Sequence, residues 1–143
     1  MFRNCTGLAT IPEGLLPVDS LQTYCYGYMF SGCEGLTSVP DGLLPASSLA
    51  LGCYQYMFEN CKNLEKAPKL PAATLENYCY QNMFNGCEKL GAVYCMATSN
   101  TASYCTDNWL NGVKSTGTFT AKAGSTWVEG ASGIPDGWTR TDL

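Results

Sequence analysis

Nine cysteines and twelve carboxylates are the residues in this 143-residue chain best able to do chemistry, and no histidine stands among them. Eight of the cysteines fall into two evenly spaced series: Cys5, Cys33, Cys61, Cys87 and Cys25, Cys53, Cys79, Cys105. Only Cys95 lies outside them. A thiol nucleophile needs an activating base or a lowered pKa, and the commonest base is missing. Zinc is disfavoured as well, because the two cysteines of each motif stand eight residues apart rather than in a short ligand pair. A short, cysteine-rich chain suggests a disulfide framework. Yet Val113 continues the first series, which a packing position tolerates and a bridge does not. Buried free thiols, packing as small hydrophobes, are the expectation. A redox or metal protein is the competing reading. The carboxylates Glu13, Asp19, Glu34, Asp41, Glu59, Glu65, Glu76 and Glu88 show no recurring pair suited to acid–base work. There is no calcium loop and no glycine-rich phosphate loop. The chain therefore reads as non-catalytic, with no cofactor and no metal.

What positions these residues is a motif written several times. Cys25–Cys33 (CYGYMFSGC) returns as Cys53–Cys61 and Cys79–Cys87, its back half opens the chain at Met1–Cys5, and Cys105–Val113 is a worn copy. The Met-Phe pairs begin at 1, 29, 57 and 83, steps of 28, 28 and 26, and Trp109-Leu110 follows 26 later. A fixed period in this range is the signature of stacked repeats.

Within each copy, Leu21, Cys25, Met29 and Cys33 stand four apart, as do Leu49, Cys53, Met57, Cys61 and Leu75, Cys79, Met83, Cys87. That spacing predicts one face of a short helix, capped by Ser20, Ser48 or Thr74 and ending at Gly32, Asn60 or Gly86. Each helix leads to a predicted short strand: Leu8–Pro12, Leu36–Pro40, Leu64–Pro68 and Leu90–Tyr94. Their Leu-x-x-apolar pattern is half of a leucine-rich repeat. The expected fold class is an α/β solenoid, a leucine-rich-repeat right-handed superhelix of short strands and short helices closed by a small C-terminal β cap. Residues 1–114 form the repeat domain, of about four units with the first partial, and 115–143 the cap. Phe119, Trp127, Ile134 and Trp138 are the residues expected to cover the last open face.

A net charge of −4 with 14% charged residues argues against a nucleic-acid partner, which requires clustered Lys and Arg. No apolar run reaches the length of a membrane span, so no membrane insertion is expected, and no export signal is visible at Met1–Cys5. Because the first copy begins in mid-motif, either Met1 is an internal start or the chain is the C-terminal part of a longer one, and a monomer or part of a longer chain is expected.

Units of the form Cys-Tyr-x-x-Met-Phe-x-x-Cys-x-x-Leu-x-x-apolar-Pro, over residues 1 to about 113, resemble the BspA-type leucine-rich repeats of bacterial surface proteins. The tail, with Trp127 and Gly130–Thr139, is similar to the ending of such arrays. The resemblance implies a protein at the cell surface or secreted, used for adhesion to a host or microbial surface protein or glycan. It carries no shared catalytic motif. A structural spacer or a phage virion (tail-fibre-like) component is the alternative function.

Two surfaces are candidates for binding. Alternation along the predicted strands turns the third and fifth positions outward (Thr10 and Pro12, Ser38 and Pro40, Lys66 and Pro68, Ala92 and Tyr94). Glu13, Asp41 and Lys69 follow and vary in charge between copies. This strand face, comprising Thr10, Glu13, Ser38, Asp41, Lys66, Lys69 and Tyr94, is the candidate ligand site. The second surface consists of aromatic columns, Tyr26, Tyr54, Tyr80 and Tyr28, Tyr56, with Tyr24, Tyr78 and Tyr104 in a third. Stacked rings offer low-entropy contacts; the competing reading has them wedged between helices with their phenol tips in water.

Overall fold

The computed structural model describes residues 1–17 and 20–143; Asp19 lies outside them. Its recurring local unit is a four-residue turn. In the Cys25–Cys33 copy, the amides of Cys25, Gly27, Met29, Ser31 and Cys33 donate to the carbonyl three residues earlier, at 3.1–3.2 Å. The alternate amides of Tyr24, Tyr26, Tyr28, Phe30 and Gly32 donate sideways, to Leu51, Cys53, Gln55, Met57 and Glu59 of the next copy, at 2.8–3.0 Å. The pattern recurs from Gly52–Asn60 to Asn77–Asn85 and from Tyr78–Gly86 to Ser103–Asn111.

To aim alternate amides in two directions, the backbone turns left-handed at every fourth residue. Tyr24, Tyr28 and Gly32 have φ of 54°, 58° and 73°; Gly52, Tyr56 and Asn60 have 59°, 57° and 58°. Tyr78, Asn82, Gly86 and Tyr104, Asn108, Gly112 continue the series.

This geometry overturns the expected fold class. Among the described residues there is no helix, and regular strand is confined to three short parallel segments in one open sheet. The α/β solenoid of a leucine-rich-repeat superhelix is therefore not the architecture. The four-residue apolar spacing belongs to a different backbone for a physical reason. An α-helix of 3.6 residues per turn drifts about 40° for every four residues, so strict fours wander off its face, whereas a four-residue turn returns to the same side each time. Ser20 and Ser48 cap nothing; they meet in an isolated parallel bridge.

The strands are β1 (Ala92–Cys95), β2 (Thr118–Ala121) and β3 (Thr139–Asp142), in the order β1-β2-β3. Their register pairs Val93 with Phe119 and Phe119 with Arg140, and Tyr94 with Thr120 and Thr120 with Thr141. This sheet crosses the expected boundary at 114/115. Leu8–Pro12, Leu36–Pro40 and Leu64–Pro68 form no strand. Proline has no amide to donate to a ladder; β1 forms where Tyr94 occupies the position of Pro12, Pro40 and Pro68.

Equivalent residues of successive copies lie side by side. Phe2, Phe30, Phe58 and Phe84 stack with centroids 5.5, 5.5 and 5.6 Å apart. Tyr26, Tyr54, Tyr80, Trp109 and Trp127 form a second stack, at 6.0, 6.1, 6.1 and 5.3 Å. At the C-terminal end Phe119, Trp127, Ile134 and Trp138 are buried. Three indole N–H groups fasten this region: Trp109 donates to Gly133 O at 2.9 Å, Trp127 to Ala97 O and Trp138 to Lys114 O, both at 2.8 Å.

At Gly86 a left-handed φ of 78° coincides with a close approach, since a Cβ there would overlap Oδ1 of Asn60. A left-handed non-glycine residue costs about 1–2 kcal/mol, and the overlap adds to it. Gly86→Ala is expected to lower stability by at least that amount in a urea melt. Gly7→Ala, exposed with nothing near its missing Cβ, is expected to stay within about 0.5 kcal/mol of wild type.

Candidate functional site

The cysteines occupy interior positions. All nine are free, and every one but Cys5 and Cys25 is buried. The first series forms a ladder of thiol donors: Cys33 Sγ donates to Phe2 O at 2.9 Å, and Cys61 and Cys87 donate to Phe30 O and Phe58 O at 3.1 Å. Val113, next in that column, makes no such bond, so packing and not hydrogen bonding is what the column conserves in space. Burial pushes the Cys53 thiol up to about 11, and those of Cys61 and Cys95 up to about 12. Cys33, Cys87 and Cys105 are raised for the same cause. A thiol held neutral is a poor nucleophile and a poor metal ligand. Among the described residues no group of three or more Cys, Asp or Glu side chains is placed to hold a metal ion.

These shifts set a pH window. The unfolded chain releases its thiol protons near pH 9, before the folded chain does, so the stability from neutral burial is complete below pH 9. It is lost as the pH rises from there through 11 and 12. Thermal melts between pH 8 and 11.5 are expected to show a falling midpoint, with buried thiols becoming reactive together with unfolding. Thiols that react while the melting midpoint stays level would contradict this.

Of the aromatic columns, Tyr54 and Tyr80 are buried and present no ring to a ligand. The Tyr54 tip is not in water either, which corrects the wedge picture for that ring. The Tyr54 hydroxyl is buried without a hydrogen-bond partner, and an unsatisfied buried hydroxyl costs about 1–3 kcal/mol. Tyr54→Phe, which removes that oxygen alone, is expected to raise stability by about 1 kcal/mol in a urea melt; a drop would mean the oxygen has a partner. Tyr26 is half-buried, and so are Tyr28 and Tyr56, which stack at 4.5 Å beneath the Arg3 guanidinium, itself 4.7 Å from the Tyr28 ring. The exposed rings are Tyr24 and Tyr104, the latter stacked on Tyr78 at 5.3 Å.

The strand-face candidates divide. Thr10, Glu13 and Ser38 are exposed and stand apart, making no side-chain hydrogen bond or ion pair among the described residues. Pro68, expected to face outward, is buried. The other four converge. Lys66 Nζ lies 2.8 Å from Asp41 Oδ1, Lys69 Nζ lies 3.8 Å from Asp41 Oδ2, and the same Lys69 Nζ sits 5.2 Å from the Tyr94 ring centre. The convergence follows from the backbone, because the Lys69 amide donates to Asp41 O and the Leu70 amide to Tyr94 O. The hydrogen bond from Lys66 holds the Asp41 carboxyl below the usual carboxylate range. Such exposed pairs add little to stability.

At this cluster lies a depression of about 230 Å³ lined by Lys66, Lys69, Ala92, Val93, Tyr94, Thr118 and Thr120; β1 runs between the Lys66–Leu70 segment, bonded to it on one side, and β2 on the other, so the lysines and the threonines flank it from opposite sides. The two threonines were missed from sequence, although Thr-Phe-Thr carried the signal: a period-two strand with Phe119 inward puts both hydroxyls outward. Neither a family model, nor a curated protein, nor a solved structure matches the chain.

Proposed function

We propose that this chain is a non-catalytic ligand-binding module that engages a protein or glycan through the Asp41–Lys66–Lys69–Tyr94 face. The observation that carries the reading is the convergence of side chains from three successive copies beside a depression, against a background in which interior letters repeat. Repeated interior positions satisfy packing. The four face residues break the repeat, carry one negative and two positive charges, and place an aromatic ring beside an ammonium group, a few placed polar groups beside an aromatic side chain of the kind that orients a ligand. An adhesive role at a bacterial cell surface, or as a secreted protein, is the use that the BspA-type resemblance implies. Its partners would be host or microbial surface molecules.

A spacer or virion component is the second reading, and the lateral hydrogen bonds joining each copy to the next favour it, since such a ladder resists extension. The two readings separate on a glycan and matrix-protein array. The expected outcome is a specific binder whose affinity falls at least about tenfold when Lys66, Lys69 and Tyr94 are changed together to Ala, with the melting temperature nearly unchanged. An array with no binder would favour the spacer.

A further inference from the structure

The depression beside Tyr94 has a shape and chemistry that narrow its occupant, on the premise that this face is the binding surface. Its 230 Å³ is below the roughly 300–1,000 Å³ of pockets that enclose a drug-sized molecule, so it takes one ring-sized group. Lys66 and Lys69 share the single carboxylate of Asp41, which leaves one positive charge on this wall of a chain whose net charge is −4. Both lysine side chains are about half exposed, so either ammonium can turn to a ligand without leaving a buried charge behind. On the opposite wall, Thr118 and Thr120 lie two strand positions apart, about 6.6 Å, and each hydroxyl both donates and accepts. That pair matches hydroxyl groups at two edges of a sugar ring. The Tyr94 ring borders the same space and offers an apolar face.

We propose that this depression is a subsite for one carboxylate-bearing pyranose, of the uronic or sialic acid type, within an acidic glycan. The carboxylate meets Lys66 and Lys69, ring hydroxyls meet Thr118 and Thr120, and the C–H face lies against Tyr94. An acidic peptide could satisfy the lysines, but its side-chain carboxylate would leave both threonine hydroxyls without ligand partners. The sugar uses both walls.

The test is an NMR titration of the isotope-labelled full chain with glucuronic acid, N-acetylneuraminic acid, glucose and an Asp/Glu-rich peptide. The two acidic sugars are expected to shift the amides of residues 92–95 and 118–121, saturably, and at least about tenfold more tightly than glucose, the margin of a charge-assisted hydrogen bond. Lys69→Gln is expected to erase that preference for acid, and the double change Thr118→Val with Thr120→Val to weaken both acidic sugars. Retained dispersion of the remaining amides shows that each variant is folded. Glucose binding as tightly as glucuronic acid, or the peptide shifting these amides while the sugars do not, overturns the acidic-sugar assignment and leaves the binding surface standing. A face that shifts with none of the four, while the array yields a binder sensitive to the Lys66, Lys69 and Tyr94 changes, also overturns the assignment alone. An array without any such binder removes the surface as well.

Discussion

The structure depends on how each motif divides its backbone amides. One amide in two closes a turn on its own chain segment, and the next reaches sideways to the following copy. Neither half suffices alone: the turns fix the conformation of a copy, and the lateral bonds fix its neighbour in register. A helix spends every amide on itself and has none left for an adjacent segment. The division requires a left-handed residue at every fourth position, and Tyr occupies several of these despite the steric cost to a bulky side chain. That cost is tolerated because it recurs together with a bond to the next copy and a ring stacked on its counterpart. At Tyr28 and Tyr56 both compensations are present.

Once register is fixed, the interior follows from packing. Residues directly beside one another must be alike in size, because a large one against a small one leaves a void on one side and a clash on the other. Phenylalanine therefore stacks on phenylalanine and cysteine follows cysteine. Where Val113 replaces a thiol, a group of similar bulk fills the same place. The columns end in a change of chemistry. Trp109 and Trp127 continue the tyrosine stack, and their indole N–H groups are each satisfied by a carbonyl across the interface. The outermost strand places Arg140 at the position that Val93 and Phe119 hold in the inner strands. Its guanidinium bonds the carbonyls of Trp127 and Ser125 and pairs with Asp142. A charge turned toward the interior at an open edge discourages further strand pairing.

The candidate site arises where this order lapses. Proline holds one position in three successive returns, and there no regular strand forms; at Tyr94 the amide is present and β1 begins. Lateral bonds still join the third return to β1, from the Ala67 amide to Ala92 O and from the Leu70 amide to Tyr94 O, and there the lysines of that return border Tyr94 of β1 and Thr118 and Thr120 of β2. Function is proposed at the boundary between two backbone regimes because that is where side chains need not match those beside them.

The sequence by itself determined the period, the equivalence of columns, the interior placement of the paired cysteines and Met-Phe pairs apart from Met1, Phe2, Cys5 and Cys25, and the aromatic residues buried at the C-terminal end. These follow from repetition, since like residues at a fixed spacing are buried by the same contacts. Of the seven strand-face candidates, picked out as outward positions of variable charge, the structure brings four together, Asp41, Lys66, Lys69 and Tyr94. The backbone conformation was not legible, because apolar residues four apart satisfy a helical face nearly as well as a chain of four-residue turns; Asn or Gly at the same place in every copy, as in Asn4, Gly32, Asn60 and Gly86, was the available hint of left-handed positions. Only the tertiary structure decided between them, through lateral hydrogen bonds that exist once a neighbouring copy is present. It alone also buried Tyr54 and Tyr80 while exposing Tyr24 and Tyr104, and brought Thr118 and Thr120 to Lys66 and Lys69. Residues some fifty positions apart meet by chain register, and register is a property of the assembled fold rather than of any local stretch.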